Sequence, residues 1–137
     1  MRDHTKLEVF RLADSLALSV YRHTKSFPQE ERFALTSQTR RAAVSVAANI
    51  VEGAARSTAL DYARFLVMAY GSVRELEYEL SIALRLDYLS PVAGEELLQQ
   101  ASRTGRALRA LIVAVQQRKG GFSAGQRLVP SAQAPRN

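Results

Sequence analysis

The sequence predicts an all-α fold, an antiparallel up-down-up-down four-helix bundle. Three observations carry that prediction. Apolar residues recur at helical spacing in four segments. Proline, glycine or short polar residues separate those segments. No strand-like alternation and no hairpin dipeptide occurs anywhere. With 137 residues, 47% of them hydrophobic, the chain can build one core and is short for two.

The first helix is predicted over residues 5–25. Val9, Ala13, Leu16 and Val20 form one stripe, and Leu7, Phe10, Ala17 and Tyr21 form its neighbour, so the buried face is wide. Phe27-Pro28 ends it, because the residue before a proline is pushed out of the α region. Pro28-Gln29-Glu30-Glu31 then reads as a short opening turn. The second helix is predicted over residues 35–55, capped by Thr36 or Ser37, with Gly53 weakening its last turn. Thr58 and Asp61 resemble a capping box for a third helix ending near residue 86. Its stripe of Tyr62, Leu66, Ala69, Val73, Leu76, Leu80 and Ala83 alternates steps of four and three, the seam of left-handed helix packing. Ser90-Pro91 opens the fourth helix, whose apolar face is Leu97, Ala101, Leu108, Leu111/Ile112 and Val115. Gly120-Gly121 is expected to stop it. Residues 120–137 hold three glycines and two prolines with few large apolar groups, which predicts a disordered tail behind a bundle of residues 1–119.

The absence of cysteine removes disulfides, thiolate metal sites and a thiol nucleophile together, and it fits a reducing cytoplasm. The charged opening residues are unlike a secretory signal, and no run approaches the ~20 apolar residues of a membrane span, so the expected localisation is cytoplasmic, without a membrane partner. The net charge of +6 is unevenly spread. Residues 57–90 carry three Lys/Arg against five acids, whereas residues 91–137 carry seven against two, so different parts suit different partners. Sixteen of the nineteen cations are arginine, whose planar fork suits phosphates. Two readings of that charge stay open: a nucleic-acid surface, or a merely solvated one. The nucleic-acid candidates are Arg40, Arg41, Arg103, Arg106, Arg109, Arg118 and Lys119, with Arg127 and Arg136 adding weak contacts. Arg103, Arg106 and Arg109 advance in steps of three and fan slowly round one side of the fourth helix.

The second helix carries a continuous polar stripe of Gln38, Arg41, Ser45, Asn49, Glu52 and Arg56 beside an alanine-rich apolar stripe. Such a stripe is commonly solvated. Short Ser and Asn side chains closely flanked by apolar groups fit an interface or an internal network instead, and both readings stand. Glu52 and Arg56 are spaced to pair.

No set of residues for catalytic chemistry is present. His4 and His23 lie nineteen residues apart without a carboxylate pair in register. Of Glu75, Glu77 and Glu79, only the first and last share a helix face, and no Glu-x-x-His pair exists. Phosphate-cradle motifs are missing, and the hydroxyl side chains lack a partnering base. The expectation is a protein that is not an enzyme and uses no cofactor or metal.

The run from Phe27 through Arg40-Arg41-Ala42-Ala43-Val44-Ser45 to Asn49-Ile50-Val51-Glu52-Gly53 resembles the signature of a family of bacterial four-helix-bundle proteins first noticed within intervening sequences of 23S rRNA genes. Phe65-Leu66, Ala69, Gly71-Ser72, Glu75-Leu76-Glu77 and Leu86-Asp87-Tyr88-Leu89 are similar to its later pattern. The resemblance covers residues 7–117 and departs at Thr39 and Ala47, where the family pattern carries an aliphatic residue and a proline. It implies a bundle assembling into a homo-oligomeric ring, typically a pentamer. A related branch, the accessory protein of diversity-generating retroelements, binds nucleic acid and a reverse transcriptase. The expected function is therefore a homopentameric bundle that binds RNA or DNA through arginines. The alternative is a protein-interaction adaptor, such as an accessory subunit of a reverse transcriptase, using the acidic third helix.

Overall fold

The computed structural model describes residues 2–122, with side chains through Arg118. Four helices are present, α1 Glu8–His23, α2 Leu35–Ala54, α3 Ala59–Arg85 and α4 Pro91–Phe122, and the described residues contain no strand. Single 3-10 turns at His4–Lys6, Thr24–Ser26 and Gln29–Glu31 trim the predicted first helix and fill the α1–α2 connection. Phe27 is extended before Pro28, as the proline requires.

Two predicted caps form as read. Thr58 Oγ1 accepts from the Asp61 amide at 3.1 Å, and Ser90 Oγ accepts from the Ala93 amide at 3.1 Å. The start of α2 differs. Helix begins at Leu35, too early for Thr36 or Ser37 to cap it, and Glu31 Oε1 in the preceding turn accepts from the Leu35 amide at 3.2 Å. α3 ends with Asp87 at φ 62°, and the Tyr88 amide donates back to Ala83 O at 2.9 Å. This is the left-handed helix stop usually made by glycine, which aspartate tolerates. α4 runs through the glycine pair to Phe122. Each glycine weakens a helix by about 1 kcal/mol relative to alanine without forbidding it. The rest of the predicted tail lies outside the described residues.

Contacts at the two ends of the bundle fix the up-down-up-down course. The Arg2 amide donates to Ala54 O at 3.1 Å, tying the beginning of α1 to the end of α2. At the opposite end, Ser26 Oγ donates to Tyr88 O at 3.0 Å and the Tyr88 hydroxyl donates to Glu31 Oε2 at 2.9 Å. The connections between α2 and α3 and between α3 and α4 are too short to recross the bundle. Each helix packs on its sequence neighbours and α1 closes on α4. No helix is long and apolar enough to cross a membrane among the described residues.

The seven seam residues of α3 are all buried, as are Val9, Ala13, Leu16 and Val20 of α1. Ala47, Leu111 and Ile112 lie at the core's edge instead. Thr39 is fully buried where an aliphatic residue would serve, and its hydroxyl is satisfied by donating to Leu35 O at 2.7 Å. Gly53 has a role that weakening the last turn does not describe. A Cβ there would sit 3.0 Å from Phe65 Cβ and 3.3 Å from Tyr62 O, so its absence lets α2 and α3 approach closely.

Candidate functional site

Close packing of α2 on α3 divides the polar stripe. Its middle is an internal network: Ser45 Oγ and Ser72 Oγ lie 2.9 Å apart, and buried Asn49 donates from Nδ2 to Ser45 O (2.9 Å) and Ser45 Oγ (3.1 Å). Its ends, Gln38, Arg41, Glu52 and Arg56, are exposed. Glu52 and Arg56 stand 3.7 Å apart at the surface, with the Arg56 guanidinium over the Phe65 ring. Network and solvation are thus both present, in different turns.

The same face holds a residue the sequence did not single out for burial. Glu79 is only 5% exposed, and its Oε1 has no hydrogen-bond partner. Burial, reinforced by the neighbouring Glu75 carboxyl, pushes the Glu79 carboxyl up to about 8, and Arg41 only partly opposes the shift. The one signal available was the four-residue spacing of Glu75 and Glu79.

The predicted cations do not form a single patch. Arg40 is committed to the fold: Nε donates to Thr24 Oγ1 at 2.8 Å, Nη2 donates to Tyr21 O at 3.3 Å, and the guanidinium lies over the Tyr21 ring. Arg41 is exposed beside it on a shallow groove of about 410 Å³ that includes Arg32 and the almost fully exposed Phe33. Arg103 is exposed on α4. Arg118 lies at the far end, near enough to Tyr62 and Arg2 to act on the Tyr62 hydroxyl. The Lys119 side chain, Arg127 and Arg136 lie outside the described residues.

Arg106 and Arg109 do meet, in a second groove of about 410 Å³ between α3 and α4. There they join Arg74, which sits in the acidic segment and was not predicted. Arg74 Nη1 reaches the Tyr70 hydroxyl at 3.4 Å, its Nε pairs with Glu77 at 3.1 Å, and the Arg109 guanidinium lies 5.6 Å from the Tyr70 ring centre. Arg106 donates to Ser102 Oγ at 2.6 Å. Hydrogen bonds from Arg74 and Arg109 hold the Tyr70 hydroxyl below its usual range. Three guanidiniums therefore share a groove with one carboxylate, an arrangement suited to an anion.

Among the described residues, no group of three or more metal-ligating side chains comes together. His23 Nδ1 is bonded to Ser19 O at 2.9 Å, and His4 packs edge-on against Phe10.

Comparison with known proteins places this architecture. A family model described as 23S rRNA-intervening sequence protein matches residues 5–110. The chain belongs to that family. Among solved structures it is similar to a protein with unknown function from the S23 ribosomal protein family of Bacteroides thetaiotaomicron. The two share 23% identity over 76% of this chain and 97% of the other, with a TM-score of 0.71, a likeness that establishes the fold. A comparison with curated proteins finds no match. The residues of both grooves fall inside the matched span, whereas Arg118 and Lys119 lie beyond it.

Proposed function

We propose that this family member is a non-catalytic homo-oligomer, a ring of five copies, that binds RNA or DNA through arginine side chains. The observation that carries the reading is the α3–α4 groove, where Arg74, Arg106 and Arg109 converge beside Tyr70 with Glu77 as the accompanying acid. Like charges held together repel one another, and a phosphate backbone relieves that repulsion while releasing its own counterions. Repetition round a ring multiplies the contacts per strand, and the subunit number of five comes from the family resemblance. The groove offers guanidiniums and no platform for several bases, so the binding is independent of base sequence.

Fluorescence anisotropy with a labelled oligonucleotide tests the reading. Binding at low salt that weakens linearly with the logarithm of salt concentration is expected. Absence of binding, or binding indifferent to salt, contradicts it. A second reading, a protein-interaction adaptor, draws on the acidic third helix, where exposed Glu75 offers a contact for a basic protein. A pull-down recovering nucleic acid alone counts against that reading.

A further inference from the structure

We infer that the groove at the start of α2 is a nucleotide site, with the phosphate held by Thr36, Arg32 and Arg41 and the base lying on the Phe33 ring. This groove is separate from the one between α3 and α4, so it adds a site to the proposed function and does not depend on it.

The groove crosses from the α1–α2 connection onto the first two turns of α2. Arg32, Arg40 and Arg41 line it, and among the described residues no carboxylate does. Glu31, in the preceding turn, is engaged elsewhere, accepting from the Leu35 amide and the Tyr88 hydroxyl. Arg40 is held by Thr24 and Tyr21. That leaves Arg32 and Arg41, both exposed and, among the described residues, without an ion pair within 4.0 Å. The α3–α4 groove, by contrast, sets Glu77 against its arginines.

Two further observations point to an anion here. Thr36 is only 9% exposed and lines the groove, yet its hydroxyl has no hydrogen-bond partner among the described residues. The buried hydroxyls of Thr39 and Thr104 donate to backbone carbonyls instead. Buried hydroxyls in folded proteins are nearly always bonded, so the Thr36 donor is left for an acceptor from outside. The first turn of α2 is the second observation. Ala34 at its cap position has no side-chain oxygen, and Glu31 serves only the Leu35 amide. The amides of Thr36 and Ser37 have no acceptor among the described residues. Amides at a helix start point out along the axis and carry partial positive charge, which favours an anion. Hydroxyl, amide and guanidinium donors gathered without an acid fit a phosphate group.

Phe33 identifies what carries the phosphate. At 87% exposure it is the most exposed large apolar side chain among the described residues. It lines the same groove, with the Arg32 guanidinium 5.2 Å from its ring centre. A nucleotide presents a phosphate and a flat base together, and any base can stack on an aromatic face.

Titration calorimetry of the full chain at low salt, with adenosine monophosphate, adenosine and inorganic phosphate as probes, tests the site. The monophosphate is expected to bind, and each of the two fragments to bind about tenfold more weakly or worse. Phe33→Ala should weaken the monophosphate by about tenfold and leave inorganic phosphate unchanged. Thr36→Val should weaken both by about threefold or more, with circular dichroism checking that helix content is retained. If Thr36→Val fails to fold, Phe33→Ala carries the test, because that side chain lies outside the core. Absence of monophosphate binding, or folded variants that bind it as tightly as wild type, overturns the site. Salt-dependent oligonucleotide binding through the α3–α4 groove would survive that result. An oligonucleotide with a terminal phosphate, preferred over the same strand ending in a hydroxyl, assigns the phosphate to a strand end. Equal binding of the two strands assigns it to a free nucleotide, and either result supports the site.

Discussion

The two sides of α3 handle unpaired charge differently. Towards α4, Arg74, Arg106 and Arg109 crowd round Tyr70, but all three are exposed, so water solvates what the protein leaves unpaired. Towards α2, Glu79 is closed off, and burial beside Glu75 keeps the proton on its carboxyl. An exposed unpaired charge costs little and is available to a ligand. A buried carboxyl instead avoids the cost of an unpaired charge by keeping its proton. One helix thus carries an exposed groove suited to an anion and a buried carboxyl held neutral.

Substitutions that separate the two sides should differ in kind. Arg106→Glu with Arg109→Glu reverses the exposed groove and should weaken oligonucleotide binding by about tenfold or more at low salt. The same pair should leave oligomer mass and melting unchanged, which light scattering and calorimetry check. If mass and binding fall together, binding and assembly share one surface. Asn49→Leu strikes the buried network and should lower unfolding stability in urea by about 1–3 kcal/mol, because the Ser45 carbonyl and hydroxyl lose their amide donor. Glu52→Leu, at the exposed end of the same stripe, removes a surface ion pair and should change stability by less than about 1 kcal/mol. Equal losses from the two would mean that the stripe is not divided as described.

A pH slope is expected as well. The Glu79 carboxyl, held up at about 8 by burial and by Glu75 against the pull of Arg41, keeps its proton in the folded chain at pH values where the unfolded chain has released it. The folded state therefore binds more protons between the ordinary carboxylate value and about pH 8. Stability should fall as pH rises through that window, by roughly 1.4 kcal/mol per pH unit at most. Melting of the wild-type chain across this window should show the slope, and Glu79→Gln should flatten it. A slope that survives that substitution assigns it to another group.

The helices were legible because their seams are periodic, and Thr58 and Ser90 announce their caps in adjacent residues. The start of α2 was less legible, since Glu31 lies in a different turn from the amide it accepts. The candidate sites were legible only in part, for a related reason. Arg106 and Arg109 are visible as an arginine row, but their meeting with Arg74 depends on how α3 and α4 align, which no local pattern encodes. Arg40 and Arg41 read alike in sequence, yet one turns back to Thr24 and Tyr21 while the other is exposed. Glu79 reads as one of three acids on the third helix, and its burial depends on how α2 packs on α3, which no local pattern encodes.

Light scattering of the wild-type chain, with and without a short oligonucleotide, tests polyanion binding by an assembly most directly. A mass of about five times 15.2 kDa is expected, rising when the oligonucleotide is added at low salt and returning to the protein value at high salt. A species of 15.2 kDa whose mass is unmoved by the oligonucleotide would contradict the account.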